Sequence, residues 1–90
     1  MSITESSKPT LAVGSKWGGS EEDPIVLYPE GAMKVHGTSL AILSLCDGER
    51  TLAGILEELQ RQYFGADPKR IREEAIRFIE TMHEKRIVDY

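Results

Sequence analysis

The chain has 90 residues, which suffices for one hydrophobic core and is too short for two, so we expect a single domain. A hydrophobic fraction of 40% and a charged fraction of 29% are typical of a folded globule and argue against a disordered chain. The formal net charge of −4 argues against a surface that binds nucleic acid through its phosphates.

The cysteine count and the N-terminus predict a cellular compartment. The single cysteine, Cys46, follows the apolar run of residues 40–45 and is expected to be a buried thiol in a reducing environment. The N-terminus lacks the basic start and apolar segment of a secretory signal, and no run approaches the length of a membrane span. These features predict a cytoplasmic protein that does not associate with membranes.

The first predicted elements are a tail and a short strand. Residues 1–10 are mostly Ser, Thr, Lys and Pro, which predicts a mobile tail before a domain of residues 11–90. Residues 11–17 predict a strand, although Gly14 interrupts its alternation, and we expect Trp17 to pack over the edge of the core. A polar loop is predicted over residues 18–23.

A hairpin follows the loop. Pro24 precedes a β-branched and aromatic run at residues 25–28, which predicts a strand. Tyr28-Pro29-Glu30-Gly31 has the proline and glycine positions of a type I turn, and residues 32–35 again favour a strand. Together they predict an antiparallel pair.

Three helices are predicted in the second half. Residues 37–46 suit a short buried helix that begins at a cap provided by His36 or Thr38 and ends at Gly48. Thr51 is the expected N-cap of a second, amphipathic helix over residues 52–63. A third begins with Asp67 as its cap and Pro68 in its first turn, after which Ile87 and Val88 pack back on the core or extend it.

This order of elements predicts an α+β domain in which helices cover one face of a small antiparallel sheet of three strands. A winged helix-turn-helix is the arrangement that we favour. Candidate ligands for a metal are scattered, since His36, His83 and Cys46 fall on different predicted elements. No phosphate-binding loop or nucleophile with its base is apparent, so we expect neither an enzyme nor a bound cofactor.

An interaction surface is the remaining possibility. If residues 32–36 form an edge strand, their free backbone groups can accept an extended peptide by strand addition. The alternative is an ordinary protected edge, in which Lys34 is the charge that prevents aggregation.

Three segments of the sequence resemble the PqqD family. They are VLYPEG at residues 26–31, LSLCDGERTL at residues 43–52 and ILEEL at residues 55–59, and the resemblance extends over residues 11–88. It implies the winged helix-turn-helix of a RiPP recognition element, a module that binds the precursor peptide PqqA. Such a module presents PqqA to the radical SAM enzyme PqqE in the biosynthesis of pyrroloquinoline quinone.

The resemblance also implies a peptide site between the third strand and the third helix. Carried onto this chain, the site comprises Met33, Lys34, Val35, Arg70, Glu74, Arg77 and Phe78. Apolar contacts and charge pairing by Lys34 or Arg77 are expected to provide selectivity.

Two other functions fit the predicted fold. One is recognition of the leader peptide of another RiPP pathway. The other is DNA binding by the third helix through Lys69, Arg70, Arg72 and Arg77, although the interleaved glutamates oppose it. The sequence leaves open a monomer or a domain-swapped dimer.

Overall fold

The protein was analysed as a computed structural model, which describes residues 3–90. The described residues form an α+β domain with a small antiparallel sheet and three helices, which confirms the predicted fold class, and the arrangement is compatible with a winged helix-turn-helix. The elements in chain order are β1 (Thr10–Leu11), β2 (Lys16–Gly19), β3 (Pro24–Tyr28), β4 (Gly31–Lys34), α1 (Gly37–Ser44), α2 (Leu52–Gln62), α3 (Pro68–Glu84) and β5 (Val88–Asp89).

The main sheet has the order β2-β3-β4, with both neighbouring pairs antiparallel. Tyr28 lies opposite Gly31, so the predicted turn at Pro29 and Glu30 joins β3 to β4. Val26 in β3 is fully buried, because the inner face of this sheet packs against the helices. The central strand therefore fixes the sheet to the core.

The first predicted strand is in fact two strands. Gly14 has a φ of 92°, which glycine adopts without strain, and the chain turns there between β1 and β2. β1 pairs with β5, so Val88 both extends the fold and is fully buried, as predicted. β2 extends to Gly19, which the sequence had placed in a loop, and Trp17 is 40% exposed rather than packed into the core edge.

The helices begin largely as predicted. Thr51 Oγ1 accepts a hydrogen bond from the Gly54 N–H at 3.2 Å, and Asp67 Oδ1 accepts one from the Lys69 N–H at 3.1 Å. Of the two predicted cap residues for α1, one holds the position. His36 occupies the N-cap position without a side-chain hydrogen bond, and Thr38 lies inside the helix.

α1 also ends earlier than predicted, at Ser44, with Leu45 as its C-cap. Gly48 does have the left-handed conformation, with a φ of 79°, but it lies in the connection to α2. Its N–H donates to the Pro9 carbonyl at 2.9 Å, and a Cβ added there would lie 3.2 Å from Thr10. The absence of a side chain at Gly48 therefore allows the N-terminal segment to pack closely against this connection, and Gly48 does not end a helix.

The N-terminal segment contacts the domain from residue 3 onward. Ile3 is only 8% exposed and Pro9 is buried. The carbonyls of Glu5 and Ser7 accept hydrogen bonds from the first backbone N–H groups of α2. The composition of this segment concealed its two apolar anchors, and the predicted mobility of residues 1–10 stays a prediction.

Candidate functional site

β4 is an edge strand whose outer backbone groups have no neighbouring strand in the described sheet. The Val35 N–H donates to the Pro24 carbonyl at 3.2 Å, so the backbone of Val35, and by alternation of Met33, points toward β3. The backbone groups of Ala32 and Lys34 consequently point away from β3. They are the groups that an added peptide strand would pair with.

Side chains alternate on the same strand. Val35 is 2% exposed and belongs to the core, and Met33 is partly buried against it. Lys34 is exposed, and no carboxylate of the described residues lies within salt-bridge distance of it. Of the three predicted strand residues, Lys34 thus offers both a charge and free backbone groups, whereas the Val35 side chain is unavailable to a ligand.

The opposite edge of the sheet, β2, is less regular. Gly19 has a φ of 72°, and its N-terminal neighbours are Trp17 and Gly18. A residue in the left-handed region interrupts the even spacing of backbone groups that strand addition needs. Of the two edge strands, β4 is therefore the one with the more regular backbone.

A cavity of about 370 Å³ lies between the three helices, close to where β4 leads into α1. Ile42 of α1 and Leu59 of α2, both buried, contribute apolar walls, and Ile71 of α3 is half-buried beside them. The remaining lining residues are Thr38, Tyr63, Ala66, Asp67, Arg70 and Glu74. An apolar interior with a polar rim suits a large side chain of a bound peptide.

The predicted residues of α3 fall into three environments. Arg70 and Glu74 both line the cavity and form an ion pair at 3.3 Å, with Arg70 79% exposed. Phe78 is half-buried and packs against the core. Arg77 lies apart from the cavity, in a shallow depression that Lys69, Ile76 and Glu80 also line. The structure thus brings Arg70 and Glu74 together and separates Arg77 from them.

Sequence reasoning missed most of the cavity wall, notably Thr38, Ile42, Tyr63 and Ala66. Their helical periodicity indicates which side of each helix is apolar, but it does not say which helix faces which. The only earlier signal was Tyr63, an aromatic residue at the end of an otherwise aliphatic stripe.

The segment CDGER has a structural role in the connection between α1 and α2. One carboxylate oxygen of Asp47 accepts hydrogen bonds from the backbone N–H groups of Glu49 and Arg50, both at 2.9 Å. These bonds, with the Arg50 guanidinium 3.1 Å from the other oxygen, hold the pKa of Asp47 below its usual range. Much of the resemblance therefore lies in residues that shape the fold rather than in the candidate site.

Cys46 is buried in the core and does not line the cavity. Burial, with a smaller effect of the Asp47 charge, raises the pKa of the Cys46 thiol to about 12. Within residues 3–90, no group of three or more His, Cys, Asp or Glu side chains is placed to hold a metal ion. None of the described helices combines the length and the apolar character that crossing a bilayer requires.

The sequence matches the family model described as Coenzyme PQQ synthesis protein D (PqqD) over residues 25–88. The PqqA binding protein of Xanthomonas axonopodis pv. citri is 31% identical over 88 residues, which cover 96% of this chain and 95% of that protein. The PqqA binding protein of Stutzerimonas stutzeri is 33% identical over 70 residues and 74% of its length. That of Methylococcus capsulatus is 40% identical over 48 residues, about half (52%) of its length.

The fold is similar to a solution NMR structure of the PqqD truncation of PqqCD from Methylobacterium extorquens. The TM-score is 0.76 at 26% sequence identity, with 98% of this chain and 95% of that chain covered. That protein is described as a functional and stand-alone RiPP recognition element. The similarity thus extends over nearly the whole arrangement of strands and helices.

Proposed function

This chain belongs to the PqqD family, and on that basis we propose that it is a peptide chaperone that binds the precursor peptide PqqA in pyrroloquinoline quinone biosynthesis. The observation that carries the proposal is the open edge of β4 beside the cavity between the helices. A peptide added to β4 and continued past His36 would reach Thr38, where the cavity begins.

The strand contributes only part of the binding energy. Ala32 and Lys34 offer a few outward backbone groups, each worth about 0.5–1.5 kcal/mol net when hydrogen-bonded, against about 8 kcal/mol for micromolar affinity. We assign the rest to apolar contacts with Met33, Phe78 and the cavity. Arg70 and Glu74 at the rim, and the unpaired Lys34, would then select the charge pattern of the peptide.

The second part of the proposal is presentation. A chaperone delivers the peptide that it holds to a modifying enzyme, and we propose the radical SAM enzyme PqqE as that partner. The β4 site leaves the other faces of the domain available to such a partner. The same site could bind the leader peptide of another RiPP pathway. The sequence of the peptide that this domain binds distinguishes that pathway from pyrroloquinoline quinone biosynthesis.

The DNA-binding alternative is weakened by ion pairs on α3. Arg70 is paired with Glu74 at 3.3 Å and Arg72 with Glu5 at 2.7 Å. Two of the four basic side chains that would meet phosphates therefore already have a carboxylate neighbour, which DNA phosphates would have to replace.

A titration of the ¹⁵N-labelled domain with synthetic PqqA tests the proposal. We expect the largest amide shifts at Ala32, Lys34 and His36, with further shifts at Arg70 and Glu74. Unchanged spectra at high peptide excess would contradict PqqA binding. A parallel titration with a short DNA duplex, expected to give no shifts at physiological salt, tests the alternative.

A further inference from the structure

The outer face of the main sheet is apolar although no element of the described chain covers it. Gly18 lies opposite Ile25 in the register, and a Cβ added at Gly18 would lie 3.2 Å from Leu27 Cδ1 and 3.4 Å from Ile25 Cγ1. Ile25 and Leu27 therefore point to the same side of the sheet, opposite to buried Val26. Neither belongs to the core or packs against it.

This composition is unusual for an antiparallel sheet with one face in solvent. Such sheets alternate apolar residues inside with polar residues outside, whereas β3 has the sequence PIVLY and no polar residue at its outward positions. Gly18 has no side chain to cover this face, so the side chains of Ile25 and Leu27 lie directly over its backbone. Ile25 and Leu27 are both half-buried, so each retains part of its apolar surface for a partner to cover.

The charges around the apolar pair indicate what the partner is. Lys34 lies directly opposite Ile25 on one side, and Lys16 lies directly opposite Leu27 on the other. Both are exposed, and neither forms an ion pair with the described residues. In a chain of net charge −4, this face thus presents two unpaired cations and, on its strands, no carboxylate.

We propose that this outer face, formed by Lys16, Gly18, Ile25, Leu27, Ala32 and Lys34, docks a folded protein whose surface is apolar at the centre and acidic at its rim. The inference rests on the proposed function in taking that protein to be the modifying enzyme. Peptide binding at the β4 edge and enzyme docking on the outer face then occur at adjoining surfaces. Lys34 lies at the border of the two surfaces, so the bound peptide and the docked enzyme meet there.

Two other occupants fit less well. A second copy of this chain, docked face to face by a twofold axis, would bring four lysines into one interface. An anionic bilayer attracts clusters of basic residues, and here two lysines stand on a chain with excess negative charge.

The test compares two variants in binding to purified PqqE and to synthetic PqqA. Lys16→Glu reverses one charge, and Ile25→Thr with Leu27→Thr removes the apolar pair while retaining β propensity. We expect the double variant to weaken binding to PqqE about tenfold or more, as for central interface residues, and Lys16→Glu to weaken it about threefold or more, as for a rim charge. Both should leave PqqA affinity within about twofold. Lys8→Glu, an equal charge reversal on the N-terminal segment, is the matched control and should change neither.

If the variants fold and bind PqqE with unchanged affinity, the inference is overturned. The proposed function is not affected as long as the domain binds PqqA. If the unmodified domain does not bind PqqA, the proposed function itself is contradicted. If the double variant does not fold, methyl cross-saturation from PqqE to Ile25 and Leu27 of the unmodified domain decides. Saturation transfer from PqqE to these methyls supports the inference, and no transfer from PqqE overturns it. Transfer from unlabelled copies of the domain, or from anionic vesicles, in place of PqqE would also overturn it.

Discussion

The backbone N–H of Leu52 donates a hydrogen bond to the carbonyl of Ser7 at 2.8 Å, across 45 positions of sequence. The next N–H of α2, that of Ala53, donates to the Glu5 carbonyl at 3.1 Å, and Thr51 Oγ1 accepts from Gly54. The first three N–H groups of α2 are thus satisfied, two of them by the N-terminal segment. That segment completes the helix cap, a role that its polar composition did not indicate.

Deleting residues 2–8 is therefore expected to destabilise the domain. The deletion removes the buried Ile3, worth about 1.5–3 kcal/mol, and two hydrogen bonds worth about 0.5–1.5 kcal/mol each, partly replaced by water. We expect a loss of about 2–4 kcal/mol in urea denaturation. Ser6→Ala is the control at an exposed position, and an unchanged midpoint after the deletion would establish the mobile tail that composition predicts.

Replacement of Lys34 by proline tests strand addition directly. The Lys34 N–H points away from β3, so proline there preserves the pairing of β4 while removing one outward donor. We expect PqqA affinity to fall about tenfold or more from the lost hydrogen bond and the clash of the ring with an added strand. Lys34→Ala, which retains the N–H, should have the smaller effect in calorimetry, and equal losses would argue for side-chain recognition alone.

A bulky residue at the cavity rim should block the bound peptide. Ala66→Trp is expected to reduce PqqA affinity about tenfold, because the indole occupies space that a peptide side chain would fill. The exposed position predicts a change in unfolding free energy within about 0.5 kcal/mol. Glu57→Trp, on an exposed part of α2 that does not line the cavity, is the matched control. Full affinity in Ala66→Trp would exclude the cavity from the site.

Arg86→Gly should stabilise the domain. Arg86 has a φ of 62° at the end of α3, where the Ile87 N–H donates to the Met82 carbonyl at 2.9 Å. Glycine adopts this left-handed conformation without the cost that a Cβ imposes, and we expect a gain of about 0.5–1 kcal/mol in thermal or urea unfolding. A loss of stability would show that the Arg86 side chain makes a compensating contribution in solution.

Cys46 is expected to be unreactive in the folded protein. Its pKa of about 12, against the ordinary 9.0, means that the thiol stays protonated at neutral pH and that stability is lost as pH rises from 9.0 toward 12. We expect iodoacetamide labelling at pH 8 only after unfolding. Cys46→Ala should show a weaker decline of stability above pH 9, and rapid labelling of the native protein would contradict the burial.

The three helices, the β3–β4 turn and the family could all be predicted from the amino-acid sequence. Thr51, Asp67 and Pro68 act locally, on backbone groups within three residues, so their effect can be read without knowing the fold. Periodicity likewise identified the buried sides of α2 and α3. These are short-range properties of the chain.

The contacts between distant segments could not be predicted from the sequence and depend on the three-dimensional fold. It joined Ser7 to Leu52, placed Val35 in the core beside the free edge at Lys34, and separated Arg77 from the cavity that Arg70 and Glu74 share. These relationships depend on the packing of helices and strands against one another, which local pattern does not specify. The candidate site is formed by such contacts between distant segments. The strand and the helix that form it could therefore be predicted from the sequence, but only some of its residues could.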